Sequence, residues 1–339
     1  MRIAIVGAGI VGACIAHRLA TEGLHDVTLV EAGQRPGGGA SGRSFGWINH
    51  VTQDPVADPA LFALRLDARD RFDALNAALD GRLFDPWSGA LVWHSDPAET
   101  ESLARLHSAH GAQVALVDRA GFDRLAPHVA EQPEVAYHAE RDIAFAPGHA
   151  AGRLALAAAE AGAHVVTGHT VEAVETTDAR VTGLRLAETV IAADAVVLAA
   201  GTGLERLLPG PGGPVMCNRP AGLVTLAATG PAPQVILESP EIEIRPGPPG
   251  YWLSAVSLGM PQMSLSDLAE DVRRHAARMM PGLRDLRVVA TAAANRPIPD
   301  GGLYAGPAGG VEGLFAATAH PGVMFAPILA ERIVAALEG

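Results

Sequence analysis

The hydrophobic pattern of residues 1–31 predicts a β-strand, a glycine turn, a helix and a second β-strand. Residues 2–6 form a short apolar run, residues 13–25 form an alanine-rich amphipathic segment, and residues 26–30 form another apolar run. Short apolar runs joined by a helical segment are typical of buried parallel strands in a βαβ unit. We therefore expect the chain to begin with parallel strands of an α/β fold.

The pattern continues with helical periodicity in some segments and short apolar runs in others. Helices are predicted at residues 59–79, 97–110, 119–125, 148–162, 266–280 and 323–337. Strands are predicted at residues 90–93, 164–167, 171–175, 181–186, 189–192, 194–201, 223–227, 235–237, 242–244, 251–255 and 314–317. Proline and glycine concentrate at residues 209–220 and 246–250, which suggests connections between two lobes.

The glycine turn after the first strand has the spacing of a dinucleotide-binding fingerprint. Gly7 permits the tight turn, Gly9 lets the backbone approach a pyrophosphate, and Gly12 lets the helix pack closely on the strand. The N-terminus of the helix offers free N–H groups to the phosphates. Glu31 ends the second strand, where a carboxylate can accept hydrogen bonds from a ribose hydroxyl.

Composition narrows the possible classes of protein. A chain of 339 residues has room for one large or two medium domains, and its net charge of −12 argues against nucleic-acid binding. No apolar run is long enough for a membrane helix, and glycines, His17 and Arg18 interrupt the first one, so we expect a cytoplasmic protein. The two cysteines are too few for a disulfide framework, and the histidine spacing indicates no metal site. All 25 basic residues are arginine, which excludes lysine chemistry.

At four places the chain resembles FAD-dependent oxidoreductases of the D-amino-acid oxidase, glycine oxidase and sarcosine oxidase superfamily. These places are residues 7–31, the loop at residues 39–44, the region 171–201, and a C-terminal group of residues 296–301, Gly306 and residues 320–327. The resemblance implies FAD rather than NAD. It also implies an α/β fold with a Rossmann-like FAD-binding domain built from discontinuous segments and an antiparallel-sheet substrate domain. On this basis residues 1–45, 148–208 and 296–339 would form the FAD-binding domain, and residues 46–147 and 209–295 the substrate domain.

The resemblance assigns cofactor-binding positions throughout the first domain. The loop at residues 41–44 would follow the pyrophosphate and flavin, Val171 would present backbone groups to adenine, and the last helix would point its N-terminus at the flavin. The implied FAD-binding residues are Gly7, Gly9, Ile10, Val11, Gly12, Glu31, Ala32, Ser41, Gly42, Arg43, Ser44, Val171, Ala200, Gly201, His320, Gly322, Val323 and Met324. The C-terminal segment has no cysteine for covalent attachment, so we expect non-covalent FAD.

The same resemblance suggests residues on the substrate side, and alternatives stay open for each. Arg296 would hold a substrate carboxylate, since guanidinium forms two parallel charged hydrogen bonds; the alternative is a structural ion pair with Asp300 or Glu312. Tyr251 would line the substrate pocket or pack in the core. Asn49 and His50, which follow the flavin loop in the sequence, would face the isoalloxazine. Glu243 lies in a strand that faces the active site in relatives, where a carboxylate could bind a substrate ammonium, but we expect its carboxylate to be exposed to solvent.

The implied activity is oxidation of an amine, in particular an amino acid, to the imine by hydride transfer to flavin N5, followed by imine hydrolysis. The electrons would pass to O2 or another acceptor. Two alternatives keep the cofactor: oxidation of a 2-hydroxy acid or a specialised biosynthetic intermediate, and a catalytically silent FAD-binding protein. Two features depart from the family. The turn before the last helix is shorter than usual, and the lysine with which sarcosine-oxidase relatives activate oxygen has no counterpart.

Overall fold

The structure is a computed structural model that describes residues 1–84, 89–231, 234–258 and 264–339. In these residues the helices are α1 Ile10–Glu22, α2 Pro59–Ala78, α3 Pro97–Ala109, α4 Arg119–Leu125, α5 Pro147–Glu160, α6 Leu204–Leu207, α7 Leu265–Met279 and α8 Gly322–Glu338. The strands are β1 Arg2–Val6, β2 Asp26–Glu31, β3 Trp47–Ile48, β4 Ala90–Val92, β5 Val114–Val117, β6 Ala136–Ala139, β7 Ile143–Ala144, β8 His164–Thr167, β9 Ala173–Thr177, β10 Arg180–Arg185, β11 Val190–Ala192, β12 Ala195–Leu198, β13 Arg219–Thr229, β14 Ile236–Glu238, β15 Glu243–Pro246, β16 Tyr251–Ser257, β17 Arg284–Arg296, β18 Leu303–Pro307 and β19 Leu314–Ala319.

A six-stranded sheet contains both ends of the chain. Its order is β18-β19-β12-β1-β2-β8, and all neighbours are parallel except the β18–β19 pair. The central strand β1 is buried from Ile3 to Val6 because both of its neighbours and both of its faces are covered. Helices α1, α5 and α8 pack together on one face, and the small β9–β11 sheet covers the other. The result is a three-layer arrangement with apolar side chains on both faces of the parallel sheet.

An eight-stranded sheet forms the second large layer. Its order is β17-β13-β16-β15-β14-β4-β6-β5, and every pair is antiparallel except β14–β4. Helices α4 and α7 close one face over an apolar cluster that includes Trp93, Phe122 and Trp252. The opposite face packs on the segment around Phe45 and Trp47, which directly follows the glycine-rich loop. This contact places the two sheets against each other.

The structure confirms most of the predicted elements and corrects others. α4 and β8 have the predicted bounds, and the predicted helices α2, α3, α5, α7 and α8 agree within about two residues, the usual variation at helix ends. Some elements were not predicted, namely the short helix α6, the short strands β3, β5, β6 and β7, the long strand β17 and the strand β18. The predicted combination of a parallel sheet with an antiparallel sheet is confirmed. No helix in the described part of the chain combines the length and apolarity needed to cross a bilayer.

Candidate active site

A cavity of about 780 Å³ extends between the two large sheets. One end is lined by the glycine turn after β1 and by Glu31. The other end is lined by Glu243, Arg296 and His320. The volume lies within the range of cofactor and ligand pockets, roughly 300–1,000 Å³. The cavity thus connects the predicted nucleotide-binding end with the predicted substrate end.

The glycine turn has the close contacts that its sequence predicts. Gly7 has φ +98°, and a Cβ atom there would lie 2.6 Å from the carbonyl oxygen of Ala199. A Cβ atom on Gly12 would lie 1.9 Å from the carbonyl oxygen of Gly7, so α1 can pack against β1 only without a side chain. Gly12 therefore acts behind the turn and does not line the cavity, whereas Gly7, Gly9, Ile10 and Val11 do.

The serine of the flavin loop lies at the start of α1. The Ile10 N–H donates to Ser41 Oγ at 3.0 Å. Gly9 faces the same hydroxyl, because a Cβ atom on it would lie 3.3 Å from Ser41 Oγ. A free helix N-terminus and a hydroxyl at one point of the cavity form a suitable donor set for phosphate oxygens.

Glu31 is held rigidly at the end of β2. Its Oε2 accepts a hydrogen bond from the Ala8 N–H and its Oε1 accepts one from the Gly33 N–H, both at 2.8 Å. A carboxylate offers about four acceptor sites, so each oxygen keeps capacity for a ribose hydroxyl. Ala32 lines the cavity beside it.

The glycine-rich loop folds into a short 3-10 helix at Ala40–Arg43. Gly42 has no room for a side chain, since a Cβ atom would lie 2.5 Å from the Gly37 carbonyl oxygen. It shapes the loop without lining the cavity, whereas Ser41, Arg43 and Ser44 line it. The Arg43 guanidinium donates to the carbonyl oxygen of Gly38 at 2.8 Å and so closes the loop.

The C-terminal turn brings α8 to the cavity. Gly322 and Val323 line the cavity at the first turn of α8, and Val171, Ala200 and Gly201 line it elsewhere. Met324 does not line the cavity, because its side chain is fully buried in the apolar core to which α1 and α8 contribute.

The cavity residues fit FAD. A dinucleotide would find the helix N-terminus and Glu31 at one end, and the start of α8 lies beside the opposite end. Thr318 Oγ1 and Arg296 Nε are buried polar atoms without a hydrogen-bond partner among the described residues, and both side chains line the cavity. Buried polar groups are normally hydrogen-bonded, so these two atoms indicate a polar ligand.

Arg296 ends the long strand β17, and Glu243 interacts with it electrostatically without a hydrogen bond between the two side chains in the described residues. In the described part of the chain its guanidinium makes no hydrogen bond or ion pair, and Glu312 pairs instead with Arg180. The structure therefore shows neither of the structural ion pairs, with Asp300 or Glu312, that the sequence left open.

Three arginines, Arg296, Arg65 and Arg219, lie near His320. Burial is the main cause that lowers the pKa of His320, and the three arginine charges lower it further, to about 4. The imidazole is therefore neutral at pH 7.

The expectation that Glu243 is exposed to solvent is wrong. Glu243 lines the cavity on β15, a strand with neighbours on both sides, and lies opposite Glu238 of β14. Burial raises the pKa of Glu243 to about 8, Glu238 adds to the increase, and Arg245 and Arg296 oppose it. Nothing in the sequence indicated a carboxyl group with so strongly raised a pKa at this end of the cavity.

Of the other predicted substrate-side residues, the structure brings only Asn49 to the cavity. Tyr251 begins β16 opposite Ala227, is 45% exposed, and does not line the cavity, so the structure does not support it as a pocket wall. His50 is also not among the lining residues. It is buried, and its Nδ1 lies 3.1 Å from Asp142 Oδ1.

Arg65 is a site residue that sequence reasoning missed. Its guanidinium, 8% exposed, donates through one terminal nitrogen to Asn49 Oδ1 at 3.1 Å and to Thr52 Oγ1 at 3.0 Å. Burial lowers the pKa of Arg65 to about 10, which leaves it charged at neutral pH. The available signal was an arginine on the apolar face of α2, three residues after Phe62.

Known proteins resemble this chain over nearly its whole length. The family of FAD dependent oxidoreductases matches residues 2–337. A glycine oxidase of Pseudomonas aeruginosa is 29% identical, over 96% of this chain and 92% of the relative. The crystal structure of a glycine oxidase from Bacillus cereus gives a TM-score of 0.84 at 21% identity and covers 99% of this chain and 97% of the other. An L-amino acid deaminase from Proteus vulgaris gives 0.84 at 19% identity and covers 99% and 89%.

The solved structures establish the fold, and the family match extends from β1 to α8. The family match agrees with an FAD site made of the glycine turn, Glu31 and the hydrogen-bond donors that line the cavity. The chain therefore belongs to the FAD dependent oxidoreductase (DAO) family, and it is an FAD-dependent oxidoreductase, as the sequence predicts.

Proposed function

We propose that the protein oxidises an amine that carries a carboxylate, in particular an amino acid, to the imine, which water then hydrolyses to a keto acid. The observation that carries this proposal is Arg296. Its charged guanidinium lines the cavity, its Nε is buried without a partner, and no carboxylate of the described residues pairs with it. Arg296 is partly buried, but a buried donor atom without a partner is costly, and a substrate carboxylate would supply two charged hydrogen bonds.

When bound, FAD would supply a hydride acceptor, flavin N5, for the α-hydrogen of the substrate. The protein groups orient the substrate and adjust the electrostatics. Arg296 would fix the carboxylate, and Arg219 and Arg65 would keep the surroundings positive. His320 is neutral at pH 7 and therefore adds no charge. The electrons would then pass to O2 or to another acceptor, and FAD would be held non-covalently by the residues around Gly9, Ser41 and Glu31.

The likeness to glycine oxidases and to an L-amino acid deaminase supports an amino acid as substrate. Within this proposal residues 1–45, 148–208 and 296–339 hold FAD, and residues 46–147 and 209–295 shape the substrate end. The cavity agrees with that division, because Glu243 lies in the second set and Arg296 lies at their boundary.

Substrate profiling under argon tests the proposal. Purified holoenzyme is mixed with a panel of amino acids, other amines and 2-hydroxy acids, and loss of the oxidised flavin absorbance is recorded. Amino acids should bleach the flavin, and repetition in air should show whether O2 restores the colour. Bleaching by hydroxy acids alone would overturn the proposal, as would a flavin that no compound of the panel reduces.

The arginine is tested by Arg296→Ala. The variant should bind carboxylate substrates more weakly by about 2–4 kcal/mol, the scale for removing one member of a buried charged pair. Arg332→Ala, an exposed arginine on α8, is the matched control and should bind them normally. Equal affinity of the Arg296→Ala variant and the wild type for a carboxylate ligand would show that Arg296 has a structural role.

A further inference from the structure

Two glutamates face each other across the β14–β15 hairpin beside the substrate end of the cavity. Glu238 and Glu243 are register partners on these antiparallel strands. Glu238 Oε2 is buried and has no hydrogen-bond partner among the described residues, and the structure gives Glu243 no hydrogen bond or ion pair within that same part of the chain. Two carboxylates that lie close together in a buried environment cannot both ionise readily, so they titrate as a pair.

The charges around this pair leave Glu243 free to act on a ligand. The neighbouring Arg245 is occupied by backbone carbonyls, since it donates to Phe45 and Phe145 at 2.8 and 3.0 Å. Arg296 faces Glu243 from β17 and is close enough to act on it electrostatically. On the remaining sides lie Tyr137 of β6, whose pKa is raised by burial and by the charges of Asp142 and Glu238, and Asp271 of α7, which lines the neighbouring cavity.

A second cavity lies next to Glu243. It has a volume of about 290 Å³ and lies between the turn after β14, strands β15 and β16, and α7. Glu243 and Ala255 line both cavities, and only Glu243 of these two has a side chain that can carry a proton. Glu243 therefore borders both the substrate end and a separate space that Asp271 also lines.

We propose that Glu243 is a catalytic residue that accepts a proton from the substrate ammonium while Arg296 holds the substrate carboxylate, and that Glu238 is a positioning residue that keeps Glu243 basic. This proposal rests on the proposed amine oxidation. The ammonium N–H bond breaks, its electron pair stays on nitrogen, and the proton goes to a Glu243 carboxylate oxygen. The proton then leaves Glu243 toward the second cavity. The neutral amine is the form that can lose its α-hydrogen to the flavin.

The titration properties of the pair suit this task. Burial raises the pKa of Glu238 to about 7, and burial together with Glu238 raises that of Glu243 to about 8. A general base works best when its pKa lies near the working pH. An ordinary glutamate, with a pKa of about 4.3, would be too weak a base for an ammonium group.

The pH dependence of flavin reduction tests the base. In stopped-flow experiments under argon, the wild-type rate should rise with pH and level off above the pKa of Glu243. In Glu243→Gln the rate at pH 7 should fall by about 100-fold, within the usual contribution of a general base. Its rise should move to higher pH, where the free amine loses its own proton. Equal rates and equal profiles in the variant and the wild type would overturn the proposal.

Two further variants distinguish proton acceptance by Glu243 from a structural role of this residue. Glu238→Gln removes the neighbouring charge, so the midpoint of the wild-type profile should move to lower pH; an unmoved midpoint would overturn the role of Glu238. Glu188→Gln changes an exposed glutamate that lines neither cavity and should leave the profile in place.

Ligand binding gives a readout that needs no turnover. 2-Aminoisobutyrate has no α-hydrogen and so cannot be oxidised, and isobutyrate is the same molecule without the amine. By calorimetry at pH 9 on oxidised holoenzyme, Glu243→Gln should bind 2-aminoisobutyrate about tenfold more weakly, the loss expected for a charged hydrogen bond. Isobutyrate should bind as well as before or better.

The two ligands also separate the two proposals. An equal change for both ligands in Glu243→Gln would overturn the role of Glu243 in contacting the amine. In Arg296→Ala both ligands should bind more weakly, because both carry the carboxylate. If that variant binds both normally, the carboxylate site proposed for Arg296 fails, whatever Glu243 does.

Discussion

The orientation of the Asn49 side chain is fixed by its neighbours. Its amide oxygen accepts from Thr52 Oγ1 at 2.7 Å and from Arg65 at 3.1 Å. Both acceptor lone pairs are thus in use, and among the described residues the two amide N–H donors beside the cavity have no partner. Asn49 is therefore placed to donate hydrogen bonds to a ligand, while the buried arginine behind it supplies the rigidity.

Asn49→Ala should destabilise the protein. The change removes an acceptor from a guanidinium that is 8% exposed and whose Nε already lacks a partner. Loss of one partner of a buried donor costs about 1–3 kcal/mol, so the free energy of unfolding should fall by that amount. Urea denaturation measures it. Asn218→Ala, at an exposed asparagine, is the control and should stay within about 0.5 kcal/mol of wild type. Equal stability of the two variants would contradict the role given to this contact.

At the scale of single residues, the sequence predicts what local geometry determines. The glycine turn and Glu31 lie within one βαβ unit, so their spacing alone defines their positions. Glu243 lines the cavity, and Arg65 supports Asn49 from behind it, only because separate sheets and helices meet there. One sequence cannot show which side of β15 faces the cavity, and for this reason Glu243 was expected in solvent.

The crossing of α1 over β1 is the tightest contact between elements at the cavity. Gly12 lies at this crossing, and an added Cβ atom would meet the Gly7 carbonyl oxygen at 1.9 Å. Backbone cannot move away as the end of a flexible side chain can, so Gly12→Ala must push the helix from the strand. That movement would widen the turn that is predicted to hold the pyrophosphate.

Gly12→Ala should therefore lower stability by about 1–3 kcal/mol, the usual cost of overpacking, and should weaken FAD binding. The matched control is Gly152→Ala in α5, where an added Cβ atom has no neighbour within 4 Å. This change should stabilise the protein by about 0.4–1 kcal/mol, because alanine favours a helix. Thermal denaturation and a fluorescence titration with FAD measure both effects. If Gly12→Ala stabilises the protein as Gly152→Ala does, α1 does not pack tightly against the carbonyl oxygen of Gly7.

Elements were predictable where their pattern is strong and local. Helix α2 has Asp58 as N-cap, whose side chain accepts from the Leu61 N–H, and these cap residues were visible in the sequence. Strand β17 was missed because residues 284–296 consist mainly of alanine, arginine and other residues that do not favour strands. It exists because it pairs with β13 over almost its whole length. Such pairing is a property of the assembled sheet.

For the whole molecule, the buried ionisable groups determine how stability depends on pH. Burial lowers the pKa values of three histidines, His17, His107 and His320, and raises those of Glu238 and Glu243. Between pH 4 and 6.5 the unfolded chain binds more protons at these histidines than the folded chain. They therefore add stability as pH rises through that range. The glutamates act in the opposite direction, since the folded chain keeps their protons above the pKa of the unfolded chain.

The unfolded histidines lose their protons around pH 6.5, so above about pH 7.5 mainly the glutamate contribution remains. The folded state binds more protons at Glu238 and Glu243 than the unfolded state does, up to about pH 8, so these two groups lower the free energy of unfolding as pH rises from 6.5 to 8. The double variant Glu238→Gln, Glu243→Gln has no such protons to lose, and its stability should change less over the same range. Urea denaturation of holoenzyme at fixed excess FAD, in steps from pH 6.5 to 8.5, measures both slopes. Parallel slopes would show that the two carboxyl groups ionise normally, and they would also remove the basis for Glu243 as a proton acceptor.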